Sequence, residues 1–206
     1  IKTRAAPRFD RRAHWAMFRR QLRFDLVGVL KSVPFIVMLV FSVLNFIGNV
    51  SFLDTLFDTR IYPVTYQMLQ ALADSSGLFL FLIVIFYSGE LIFKERQVKL
   101  NEVIDAMPVP NWVPLAAKCA ALIGVVVIFG VVGVLAGVGF QLSKGYTHLE
   151  LGVYAGSLLI GLVPFVLMGL LAITAMVCTQ NKFVGFLVVI LVFVGQTVLG
   201  MLHYEH

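Results

Sequence analysis

Five stretches of roughly 16 to 28 residues pass through this 206-residue chain with little or no charge. A bilayer core about 30 Å thick needs about 20 apolar residues per helix, so each stretch is long enough to cross one. Runs of this length are expected to be helices, because a lone strand cannot satisfy its backbone in hydrocarbon. Composition points the same way: 60% of the residues are hydrophobic and 13% are charged, about half the usual soluble share. Mean hydropathy is +0.94. A soluble protein of this size has no core able to hide that much apolar surface. Intrinsic disorder, a nucleic-acid-binding domain and a disulfide-stapled secreted module are excluded. The expected fold is an all-α, polytopic membrane helical bundle.

The spans are expected at 26–48, 77–93, 115–142, 151–178 and 183–202, forming a transmembrane domain over 26–206 behind an N-terminal segment, 1–25. Lys31, near the start of the first span, is close enough to its end to snorkel. Basic residues orient the spans, since Lys and Arg concentrate in cytoplasmic loops. Fourteen of the sixteen fall on one side: the cluster from Lys2 to Lys31, then Lys94, Arg96, Lys99, Lys118 and Lys182. Only Arg60 and Lys144 fall on the other. The basic side is therefore expected to be cytoplasmic, with the N-terminus inside and His206 outside. The net charge of +5 and the pI near 9.4 become a topology signal rather than a nucleic-acid footprint.

Smaller features fit the same frame. The chain begins at Ile1 rather than Met, as expected of a processed, truncated or larger polypeptide, and it carries no signal-peptide pattern. Cys119 and Cys178 lie in or beside apolar segments and read as small core hydrophobes rather than a disulfide or metal pair. Gly133 and Gly137, like Gly152 and Gly156, form Gly-x-x-x-Gly pairs that let helices approach closely, within one bundle or across a dimer seam. No repeat or low-complexity tract occurs.

The segments between spans carry the functional signal. From Arg11 to Arg23, Trp15, Phe18 and Leu22 recur at helical spacing among five arginines. This reads as a basic amphipathic helix in the cytoplasmic interface; an unorganised positive stop is the plainer alternative. The outer loop from Asn49 to Ser76 has apolar residues at helical spacing and suggests short helices packed on the outer face, as a structural cap or, alternatively, a substrate-contacting lid. Between Gln97 and Met107, Leu100, Val103, Ile104 and Met107 make one apolar stripe, with Lys99, Asn101, Glu102 and Asp105 on the other faces. Pro108 and Pro110 end that helix, and Trp112 returns the chain to the interface. A short amphipathic helix between two spans can press against a cytosolic partner or lie on the lipid surface. Glu90, at the end of the second span, is either a functional charge at membrane depth or an interface pair with Lys94.

At this loop the sequence resembles the permease subunits of type-2 ABC transporters. The residues that carry the resemblance are Glu95-Arg96, Leu100, Ala106, Pro108 and Lys118. Tyr87-x-Gly89-Glu90-Leu91 and the run from Asn101 to Trp112 are similar to a bacterial subgroup fused to a zinc aminopeptidase-like domain. The resemblance implies six spans per half, an N-terminal interfacial helix, a multi-pass protein of the bacterial inner membrane and a coupling helix at 97–107. That helix would dock on an ATP-binding cassette subunit through Arg96, Leu100, Val103, Ile104, Met107 and Pro108, with Glu90, Lys94 and Glu95 transmitting motion. ATP and Mg would be held by that partner, and a second permease half or a second copy would complete the pore within the membrane lipids. Five spans here fall one short, so a sixth is expected beyond His206. The subgroup's His-Glu-x-x-His motif is absent, and His203-Tyr204-Glu205-His206 has the wrong order for it.

No Walker A pattern occurs, so ATP hydrolysis is expected on a separate subunit and no enzyme activity or cofactor on this chain. An intramembrane enzyme would need a carboxylate or imidazole beside Ser157, Thr174, Gln196 or Thr197, and the sequence offers none. A passive channel or secondary transporter would call for charged or broken spans; Pro164 is one candidate break, without an accompanying charge. A membrane scaffold remains the further alternative.

Overall fold

The computed structural model describes residues 11–56, 63–97 and 112–201. Six helices lie among them: α1 (Arg11–Leu30), α2 (Val33–Leu56), α3 (Thr65–Gln97), α4 (Trp112–Ser143), α5 (Leu151–Thr179) and α6 (Lys182–Met201). The described chain is all-helical, and five helices, α2 to α6, are long and apolar enough to cross a membrane.

The first break falls later than hydropathy alone suggests. Residues 26–30, expected to open the first span, instead complete α1, and the span runs Val33–Phe52. Pro34 explains the shift: in a continuous helix it would remove a backbone donor and press its ring on the preceding turn. In the first turn of α2 that donor is not needed. Ser32 seals the corner, donating its hydroxyl to the Val29 carbonyl (2.7 Å) and sharing a hydrogen bond with the Tyr87 hydroxyl (2.5 Å).

The second span is also longer than expected. Residues 65–76, read from sequence as part of an outer loop with short helices, are the opening turns of α3. At its 33 residues α3 measures about 50 Å, well beyond the hydrocarbon thickness. Met68, Ala71 and Ser75 face the bundle while Gln67, Gln70 and Asp74 face outward, a 3.6-residue period that makes this stretch amphipathic.

The remaining turns follow local chemistry. After α4, Gly145 takes φ +78°, which a side chain would resist. Gly145 N–H then bonds the Leu142 carbonyl and Tyr146 N–H the Gln141 carbonyl, both at 3.0 Å, closing the helix in a Schellman motif. Between α5 and α6, Gln180 is left-handed and Asn181 Oδ1 caps the Phe183 N–H at 2.9 Å. Helix α5 continues through Pro164; neighbouring helices let membrane spans tolerate such a proline.

Helix α3 is the centre, packing against α2, α4, α5 and α6, while α1 lies mainly along α4. The main core gathers Phe35, Ile83, Val84, Tyr87, Val125, Ala172 and Ile173. A second, toward the far end of α4, gathers Phe46, Val50, Met68, Ala71 and Tyr154. Phe183, Leu187, Leu191 and Val198 leave one side of α6 exposed and apolar, as lipid-facing surfaces are. The two glycine pairs separate. Gly133 packs on Leu72 and Gly137 on Tyr154 within the bundle, whereas Gly152 and Gly156 meet nothing within 4 Å.

Candidate functional site

Helices α3 and α4 run antiparallel, so Gln97 and Trp112 bring both ends of segment 98–111 to the same end of the bundle. The junction beneath them is built by α1, α3 and α4. Lys118, the one charged residue of α4, is only 5% exposed. Its Nζ donates to the Leu91 carbonyl of α3 at 2.5 Å. Fully buried Ala117 and Ala121 flank it, small enough for α4 to come close. Asp25 of α1 is also buried and accepts a hydrogen bond from Gln21 Nε2 at 3.1 Å. Two ionisable groups out of water at one junction need specific surroundings, since burying a charge costs several kcal/mol.

Beside them lies a cavity of about 180 Å³ lined by Asp25, Gly28, Ser32, Tyr87, Glu90 and Lys94. Tyr87 is buried and meets Phe35 edge-on, with centroids 6.3 Å apart. Lys94 turns toward α1: its Nζ lies 5.8 Å from the Phe24 ring centroid and 3.6 Å from where a Cβ on Gly28 would stand. A cation over an aromatic face is attracted by the ring quadrupole. Lys182, at the start of α6, similarly lies 5.9 Å from the Phe86 centroid and 5.6 Å from that of Phe186. Backbone and aromatic contacts therefore tie α1, α3, α4 and α6 together at this end.

Of the residues the sequence nominated, Glu90 is half-buried and lines the cavity with Lys94. Glu95 and Arg96 belong to the last turn of α3. Leu100, Val103, Ile104, Met107 and Pro108 lie outside the described residues. Sequence reasoning missed Asp25, the Ser32–Tyr87 bond and the Lys118–Leu91 bond. One signal is available in the sequence, because Lys118 is the lone charge in a long apolar run; it marks topology and belongs to the family-like motif, but neither use discloses a buried tie to α3.

Elsewhere the chemistry is sparse. Among the described residues no three His, Cys, Asp or Glu side chains gather to hold a metal. The larger cavity, about 530 Å³ between α3, α4 and α5, is lined by residues such as Leu72, Gly77, Phe129, Gly161 and Phe165, with no charged side chain.

The family model described as "ABC-2 family transporter protein" matches residues 30–199. The chain belongs to that family. The match runs from the last residue of α1 into the final turn of α6 and takes in segment 98–111. No curated protein and no solved structure gave a match. This ABC-2 membrane domain is thus a multi-pass membrane protein whose family implies a permease of an ABC transporter and an associated ATPase subunit.

Proposed function

We propose that this chain is the membrane half of an ATP-driven exporter-class permease, with segment 97–107 as the coupling helix that receives the ATPase subunit. One observation carries the reading: a family match that includes this segment coincides with a polar, tied junction under both of its ends. The heavy bias of Lys and Arg toward that end supports a cytoplasmic orientation for it, where ATP and Mg would be bound by the partner. The apolar stripe Leu100, Val103, Ile104 and Met107 would enter a cleft in the ATPase subunit, with Arg96 and Pro108 bounding it. Glu90, Lys94 and Glu95 would carry the displacement into α3. A second permease half or a second copy would complete the translocation path, and the surrounding lipid would bathe the exposed side of α6.

The test replaces Val103 and Ile104 with aspartate. Placing two carboxylates in an apolar contact leaves charges without partners, so co-purification of the ATPase subunit is expected to be lost along with permease-dependent ATPase stimulation. Unchanged association and unchanged stimulation would sink the docking role.

A further inference from the structure

We infer that Lys118 is a positioning residue that fastens the two helices flanking segment 98–111 into one lever. This inference rests on the docking role proposed above. Its bond to the Leu91 carbonyl is not one the backbone requires. Leu91 lies inside α3, less than two turns before its end at Gln97, where its carbonyl is already an intrahelical acceptor. The Lys118 ammonium therefore adds a second, charge-assisted hydrogen bond to a group that folding has satisfied. A junction that needed only to be filled would be better served by an apolar side chain of the same length, because a buried charge is expensive.

The position gives the bond its use. Lys118 stands less than two turns into α4, and Leu91 less than two turns from the end of α3. A force arriving on the chain between those helices would otherwise bend one of them alone. With the bond in place, displacement of either helix draws the other. Helix α1 joins the same body: Leu26 packs where a Cβ on Gly124 would stand, 3.2 Å away, and Lys94 reaches back over Phe24.

The experiment uses Cys119→Ala and Cys178→Ala as background, with spin labels at Leu82 of α3 and Leu115 of α4, both exposed. The full chain is reconstituted in phospholipid bilayers, first alone and then with its ATPase subunit. Lys118→Met keeps the stem and removes the charge; an Asp25→Asn/Lys118→Met variant leaves the junction no lone buried charge. For the chain alone, the wild type should give one narrow distance distribution and both variants a broadened one. Losing a hydrogen bond to a charged group corresponds to roughly a tenfold to hundredfold fall in the locked population. With the ATPase subunit, the wild-type distance should be the same without nucleotide and with ATP and vanadate. Both variants should still bind the subunit, yet lose its permease-dependent stimulation by a similar factor, the double variant at unchanged thermal stability.

A distribution unaltered in both variants, or a wild-type distance that itself changes with nucleotide, overturns the inference. So does full stimulation by a variant whose distribution has broadened. If the wild-type chain binds no ATPase subunit while the variants still broaden in bilayers, the docking role fails and the fastening stands.

Discussion

The two ends of α4 hold α3 by different means. At one end the Lys118 ammonium bonds the Leu91 carbonyl. At the other, Gln141 Nε2 donates to the Pro63 carbonyl at 2.8 Å, while its Oε1 accepts from the Tyr154 hydroxyl at 2.9 Å. Both side chains are buried, but the bonds do unequal work. Pro63 precedes α3, so its carbonyl lies outside the helix and draws its partner from a side chain. The Gln141 bond completes the backbone, whereas the Lys118 bond supplements one already complete. The neutral amide is therefore part of what makes the fold close, and the ammonium's bond to Leu91 is an addition to a closed helix. Stability should be concentrated at the Gln141 end and mechanical coupling at the Lys118 end.

Replacing Gln141 with leucine should give the largest loss of stability. It removes two buried hydrogen bonds and leaves the Pro63 carbonyl and the Tyr154 hydroxyl without the partner they now have. Interhelical hydrogen bonds in membranes average about 0.6 kcal/mol, and an abandoned buried group adds to that, so a loss of about 2 kcal/mol is expected. Thermal unfolding in detergent, followed by helical circular dichroism, reads it; a variant as stable as the wild type would erase the contrast between the ends. Gly145→Ala should follow at about 1 kcal/mol, because a Cβ strains the left-handed turn that anchors the Gln141 carbonyl. Tyr154→Phe removes one donor and leaves Pro63 bonded, so about 0.6 kcal/mol is expected from the same melts. A Tyr154→Phe loss larger than that of Gln141→Leu would shift the anchor from the loop carbonyl to the tyrosine.

How far the sequence discloses this contrast depends on the range over which each feature is written. Five spans are legible because a long uncharged run has only one stable form in lipid. The opening of α3 resembles a loop in sequence because Gln67, Gln70 and Asp74 dilute its hydropathy, although their spacing keeps Met68, Ala71 and Ser75 on one face. Hydropathy alone starts the first span before the structure does, at Leu26 rather than Val33, because it ignores the ring of Pro34. The polar ties are another matter: Lys118 and Leu91 are 27 residues apart, Gln141 and Pro63 are 78. No local period encodes such pairs. A lone lysine in an apolar helix and a glutamine in the last turn of the same helix mark that a partner exists, without naming it. For segment 97–107 the amphipathic stripe is readable in the sequence; the cavity between α1 and the end of α3 is not, since Asp25 and Gly28 share it with Glu90 and Lys94 only after α1 folds back along α4.

The smallest expected effect belongs to the Lys118 end and separates the two kinds of bond most sharply. In the Asp25→Asn/Lys118→Met variant the melt should stay within about 0.5 kcal/mol of the wild type, because removing buried charges together is often neutral or stabilising. The methionine stem refills the space beside Ala117 and Ala121, and the Leu91 carbonyl keeps its helical partner. Destabilisation matching that of Gln141→Leu would mean the ammonium is as necessary to closure as the amide, and the division of labour along α4 would collapse. Neutral stability together with a broadened distance between α3 and α4 would instead place the charge where the fold can spare it and the moving chain cannot.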